Sequence, residues 1–497
     1  MGSRSHPRKL GAGGREKSPR ATTSPARNDN SGGANDERTL EKRILRKVDL
    51  HLLVPLWFLF LVGFMDRINL GNVVVLGMAK DLNLKNNQYN IALQAFFITY
   101  IPSRPSYLIS ALSFFWGISS LCQGLVKNFG SLLVCRLLIG VFEAGFTPAA
   151  VYLMSAYYKR HEFQFRFNIF WTAGVIVGSV AGLLAYAVNN MDGVGGLAGW
   201  RWILIIEGLL ACALAGIASF TLADWPHQAR FLSPADKAFW IQRSQFDARG
   251  EAQMERLDKR AVLRTLKDWK IWCGGLMYLS VGASGYASSL FTPSILKSLG
   301  YTGVESQVQS IPIWAVAAAV TFGVGLLSDK VKHRYGFIMF GLTLAILGYS
   351  ILIGQGAQPV PGHLNNGLPL KVRYMAVFFA TTGTHMAQPV VIVWLANNLG
   401  GSYKRGIGSA IQILFGSFSG IISSNVFMAK YAPRYFVGYG VVLGLLALCG
   451  VVSTLFALGL VRENRMRDQG LRDHRLQLGE EERENLGDDH PSFRFTL

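Results

Sequence analysis

The sequence predicts an all-α membrane protein, a bundle of about twelve transmembrane helices in two six-helix halves. Three observations carry that prediction. Apolar residues make up 50% of the 497 and charged residues only 16%, against roughly 25% charged in average soluble domains. Apolar runs approaching the 20 or so residues that a helix needs to cross the hydrocarbon core recur along the chain. A polar, basic segment at 223–269 divides those runs into two sets of six.

The elements follow in order. Residues 1–48 are rich in Ser, Gly, Pro, Arg and Lys and carry no apolar core, so a disordered basic tail is expected there rather than a signal peptide. Spans are expected near 50–75, 90–101, 107–126, 132–157, 167–188 and 200–222, which with their flank make a first half at 49–222. After the linker at 223–269 come spans near 271–296, 308–327, 335–354, 374–395, 407–428 and 436–460, a second half at 270–461, and a tail at 462–497. The fifth span of the first half carries Gly174, Gly178 and Gly182, and its counterpart in the second half carries Gly416 and Gly420. Small residues four apart form a flat stripe for close helix packing. Its appearance at equivalent places supports a duplicated architecture with a solute site between the halves.

Charge sets the expected orientation. Lys and Arg outnumber Asp and Glu by 49 to 30, yet they gather in the linker and beside the outermost spans, as in Lys42, Arg43, Arg46 and Lys47 or Arg462, Arg465 and Arg467. That placement fits loops beside an anionic leaflet, with both termini cytoplasmic, and not a nucleic-acid surface. The five cysteines lie in apolar runs without a CxxC pair, so neither a metal site nor a disulfide framework is expected. There is no HExxH, GxSxG or Walker A motif and no cofactor signature, so the chain does not read as an enzyme or an ATP-driven pump.

Ionisable residues within spans are costly and call for a reason. The first span holds Asp66 and Arg67, the fourth Arg136 and Glu143, the sixth Glu207, and the tenth His385. Arg136 and Glu143, two helical turns apart, share a face at about 10 Å, too far for a direct pair. Burial without a fixed counter-ion would suit Glu143 to load and release a proton. The competing reading is a structural ion-pair lattice joining the first, fourth and sixth spans, and Arg136 could equally snorkel to the membrane edge. Glu207 reads as structural. His385 reads as a hydrogen-bonded packing residue before a proton relay.

At these residues the chain resembles the major facilitator superfamily, and within it the fungal anion:cation symporters typified by allantoate permease. The resemblance covers 41–461 and rests on EKRILRKVD from Glu41, MDRINLGN from Met65, RLLIGVFEAGFTP from Arg136, GWRWILIIEG from Gly199 and WLANNLGGSYKR from Trp394. The loop GLLSDKVKHR matches the superfamily signature between the eighth and ninth spans. The resemblance implies a major facilitator-type fold in a multi-pass plasma-membrane protein. It also implies proton-coupled uptake of a small organic anion such as allantoate, nicotinate or pantothenate by alternating access, by a monomer without metal or cofactor. Arg67, Arg136, Asn69, His385 and Asn397 are the implied solute contacts, Glu143 and Asp66 the proton carriers, and Gly325, Asp329 and Arg334 the gating residues. A nutrient sensor on the same scaffold is the alternative; the short 462–497 tail disfavours it.

One departure from the family pattern is large. Its second span ends in an acidic residue and a basic signature loop, for which this sequence has no counterpart. The apolar run at 90–101 gives a helix of only about 17 Å against a core near 30 Å. A broken or shortened second span is therefore expected, with weak transport as its consequence.

Overall fold

The structure, a computed structural model, describes residues 31–75, 105–158, 160–189, 191–249, 259–331, 333–354, 368–428, 431, 435–477 and 486–497. The expected short second span at 90–101 lies outside the described residues. The chain divides into two units, residues 1–45 and residues 46–497. Of the first unit, the described part is the beginning of helix α1, Ser31–Val48. A disordered tail was expected over these residues; the finding is a helix. The repeat of Leu40, Ile44 and Val48 four residues apart gives it one apolar edge, and Ile44 and Val48 are fully buried.

A π-helical turn, Asp49–Leu53, leads into α2, Val54–Val75. Helix α3 is Pro105–Gly124, α4 Phe129–Ala144, α5 Phe146–Tyr157, α6 Arg160–Asn189 and α7 Gly199–Thr221. The expected single span at 132–157 is thus interrupted at Gly145. Pro148 supplies no N–H to the carbonyl of Ala144, and the helix is broken one residue later. The linker holds α8, Pro234–Arg249, and α9, Lys259–Leu266. The second half comprises α10, Trp269–Ser298; α11, Gly303–Val331; α12, Arg334–Ile353; α13, Leu370–Asn397; α14, Ser402–Val426; and α15, Phe436–Asp468. The last helix continues two turns past the expected end, carrying its basic residues out of the apolar run.

Among the described residues, eight helices are long and apolar enough to cross a membrane. The other expected spans with described residues are α3, the divided α4–α5 and α10. Helices α3 and α10 carry serines, and these point inward: Ser110, Ser113 and Ser120 on α3, and Ser280, Ser284 and Ser288 on α10, are buried. The outward faces are apolar instead. Phe220 is 92% exposed, Phe340 63% and Leu458 61%, a surface that water would not tolerate and lipid would.

Glycines set the closest helix contacts. A Cβ on Gly348 of α12 would lie 2.4 Å from the Ala380 nitrogen of α13, and one on Gly208 of α7 would lie 2.5 Å from the Leu121 nitrogen of α3. The duplicated stripes behave alike. Gly174 of α6 receives Phe60 and Phe64 of α2, while Gly416 of α14 receives the Tyr278 ring of α10. In each half, therefore, the fifth span packs on the first through a glycine.

The same α6 face also makes the seam between halves. Gly178 lies under the Trp314 ring of α11, Gly182 beside the Gln307 carbonyl, and Ser179 Oγ donates to the Ile311 carbonyl at 3.1 Å. At the other end of the pair, Gly325 of α11 lies against the Asn168 side chain of α6. Trp171 of α6 meets Tyr278 of α10 edge to face, with centroids 6.5 Å apart.

Candidate functional site

Asp66 and Asn69 are three positions apart, so α2 presents both on one face. Trp116 and Ser120, four apart on α3, face them, as do Arg136 of α4 and Glu207 of α7. All are buried, Asp66, Asn69 and Glu207 completely. The Trp116 Nε1–H donates to Asp66 Oδ2, and the Ser120 hydroxyl donates to Oδ1. The Asn69 amide donates to Glu207 Oε1. Arg136 Nη1 donates to the Asp66 backbone carbonyl at 3.5 Å. Four helices of the first half thus converge on one polar cluster.

Its charges decide what it can do. The carboxyl groups of Asp66 and Glu207 adjoin, and the Arg136 guanidinium acts on both. Two adjacent acids beside one cation in a dry interior form a site at which one proton can be held or released, because full ionisation leaves an excess negative charge. Arg136 is 2% exposed, so it does not snorkel; it closes the cluster from α4. The cluster draws on the first, fourth and sixth spans and also on the third, and Glu207 is joined to it through Asn69. Trp116 and Ser120 were not anticipated. Their signal was available in the four-residue spacing of two hydrogen-bonding side chains on one face of the span.

Glu143 is buried in the last turn of α4, two residues before the break at Gly145. His385 lies near the middle of α13, its Nδ1 2.9 Å from the Thr381 carbonyl and its ring edge-to-face with Trp314 at 4.9 Å. Trp314 in turn packs against Gly178 of α6. Asn397 is the last residue of α13, about 18 Å along the helix from His385 at 1.5 Å per residue. Of Arg67 and Asp329, the structure describes the backbone, within α2 and α11, but the side chains lie outside the described residues. Gly325 is at the seam, and Arg334 begins α12 with its N–H donating to the Leu497 carbonyl at 2.7 Å. Among the described residues no group of three or more His, Cys, Asp or Glu side chains could hold a metal ion.

Comparison with known proteins agrees with this architecture. The Major Facilitator Superfamily model matches residues 56–424. An MFS-type transporter, cnsO, of Penicillium expansum is 31% identical over 92% of this chain and 90% of its own length. A high-affinity nicotinic acid transporter of Saccharomyces cerevisiae is 28% identical over 94% of this chain and 87% of its own. Among solved structures, a D-xylose–proton symporter shares the fold at a TM-score of 0.60 and 17% identity, over 82% of this chain and 96% of the symporter. With two glycine-packed helical halves, a lipid-compatible exterior and a matching family model over most of its length, the chain belongs to the Major Facilitator Superfamily of membrane transporters.

Proposed function

We propose that this transporter couples proton movement to uptake of a small organic anion, within the allantoate permease-like group of the superfamily. The observation that carries the proposal is the adjoining pair Asp66 and Glu207 beside Arg136. A proton on the pair balances the guanidinium; its departure frees a negative charge whose repulsion a second conformation would relieve. Glu143 is the other carboxyl proposed to carry a proton. Arg136 and Arg67 are proposed to meet the solute carboxylate, for which a guanidinium offers a planar bidentate fork. The nicotinic acid carrier among the relatives makes a monocarboxylate the first solute to try.

In this reading the two halves, at 49–222 and 270–461, rock about the α6–α11 seam as a monomer. The linker end faces the cytoplasm of a plasma membrane, since the basic helices α8 and α9 favour that side.

The test is uptake of labelled nicotinate and a panel of ureides and vitamins by expressing cells across pH. Accumulation should rise as external pH falls. Glu207→Gln or Glu143→Gln should abolish accumulation while sparing exchange of internal for external solute. Accumulation that ignores pH, or survives all three of Asp66→Asn, Glu143→Gln and Glu207→Gln, would remove the proton from the mechanism.

A further inference from the structure

Residues 486–497 return to the linker end of the second half and are largely buried there. Asp488 is completely enclosed. Its carboxylate pairs with Lys270, the second residue of α10, and with Lys404, near the start of α14, at 2.8 Å. Asp268, which caps α10, pairs with the same two ammonium groups at 3.2 and 2.6 Å. Two cations and two anions therefore balance in a dry site, and one of the anions comes from this returning segment.

The segment is held along its length. The Gly400 N–H donates to Asp488 Oδ1 at 3.2 Å, and a Cβ on Gly400 would fall 2.2 Å from the Asp488 nitrogen, so the α13–α14 loop lies directly against it. Arg467 of α15 donates to the Asp488 and Phe493 carbonyls at 2.9 and 2.8 Å, with its guanidinium over the Phe495 ring. The Asn398 side chain at the end of α13 pairs with the Thr496 backbone in both directions, at 2.8 and 3.0 Å. Arg334 of α12 donates from its backbone to Leu497 and from Nη1 to Thr496 Oγ1 at 3.2 Å.

Helices α10, α12, α13, α14 and α15 are tied in this way. Helix α11 carries Gly325, which meets Asn168 of the first half, and only Lys332 and His333 separate its end from Arg334. The strap thus fixes the far side of a two-residue link whose near side carries a contact between halves.

The first half has a comparable arrangement. Asp49 and Arg166 join the starts of α2 and α6, with Nη2 to Oδ2 at 3.0 Å. The chain leaving α7 folds back, with the Ala223 N–H donating to the His51 carbonyl at 3.2 Å. Helix α8 then adds ion pairs from Asp236 to Lys47 and from Arg243 to Glu162. Each half is followed by a segment that returns to bind its helix ends.

We infer that the Leu486–Leu497 segment is a conformational clamp: it supplies the counter-ion that completes the Asp268–Lys270–Lys404 cluster and, through Arg334, holds the α11–Asn168 contact between halves closed. Burial alone would raise the Asp488 pKa, but Lys270 and Lys404 outweigh it and hold it at about 2. The clamp therefore stays charged at any cellular pH, and what opens it is loss of the segment or of the charge balance it completes.

The test uses the full chain in lipid nanodiscs, where both faces are accessible, with the five native cysteines replaced by serine and Asn168→Cys as reporter. The readout is the rate of labelling by a polar maleimide, which needs no transported solute and so stands apart from the proton-coupling proposal. Asp488→Asn should speed labelling by on the order of tenfold, the population shift that losing a charge-assisted bond allows. Adding Lys270→Met, which restores neutrality, should return the rate toward the parent. Asn398→Ala cuts the far end of the strap without altering charge and should speed labelling by roughly threefold, the share of a neutral hydrogen bond; it keeps the test open if Asp488→Asn fails to fold. Unchanged or slower labelling in a folded Asp488→Asn or Asn398→Ala protein overturns the inference. A rise in Asp488→Asn that Lys270→Met leaves in place overturns it as well.

Discussion

A single methyl group at Gly178 tests the seam on which the two halves meet. A Cβ added there would lie 2.0 Å from Cδ2 of Trp314, with Cγ and Cε2 at 2.3 and 2.4 Å, whereas ordinary contact begins at 3.4 Å. The indole or the whole α6–α11 pair must therefore yield by about 1.4 Å, the difference between those separations. The indole has little room, since His385 stands edge-to-face with it at 4.9 Å and Trp314 is 2% exposed. Overpacking of this kind costs about 1–3 kcal/mol. Charged to the packed conformation, that is a shift of roughly 5- to 150-fold in its balance with more open ones. Gly178→Ala should lower the apparent melting temperature of the purified protein and reduce the initial rate of solute uptake. Trp314→Ala in the same chain should recover much of both, because it removes the atoms that clash, and the cycle of four proteins isolates the coupling. Gly178→Ala indistinguishable from the parent in both measurements would refute the reasoning, as would additive damage in the double variant.

Three further outcomes follow from the same geometry. Arg136→Ala strands two adjoining buried acids and should destabilise the protein by about 3–5 kcal/mol. Glu207→Gln in that background should restore part of the loss in thermal unfolding, and strict additivity would show that the two side chains do not interact. Arg136→Lys should raise the apparent KM for a carboxylate solute several-fold at normal expression, since an ammonium cannot reproduce the bidentate fork; an unchanged KM would make the cation structural. A cysteine placed at 250–258 between α8 and α9 should escape impermeant thiol reagents applied outside intact cells, and its labelling would reverse the orientation.

Much of this molecule is fixed by local sequence, because lipid admits few solutions. Apolar runs of this length must be helical for their backbone groups to be satisfied within the segment, so helices are found where most of the runs lie, although the run at 132–157 is broken at Gly145 and the last helix runs on to Asp468. Glycines four apart on the fifth span of each half likewise announce a close contact. Pairing is another matter. Whether Glu207 is a spectator or the neighbour of Asp66, and whether Arg136 turns inward or toward the membrane edge, depends on the rotation of four helices. Asn69 and Glu207, which meet in the cluster, are 138 residues apart, and periodicity within one helix carries no information about another. The same holds for Trp314, which becomes a seam residue only because Gly178 on a different half leaves space for it. The strap shows the limit most clearly. Residues 486–497 are short, mixed in polarity and without a periodic pattern, and so read as a tail. Only the packed structure shows Asp488 completing the charge on Lys270 and Lys404, since a buried cation takes its partner from whatever segment the fold brings near, however distant in sequence.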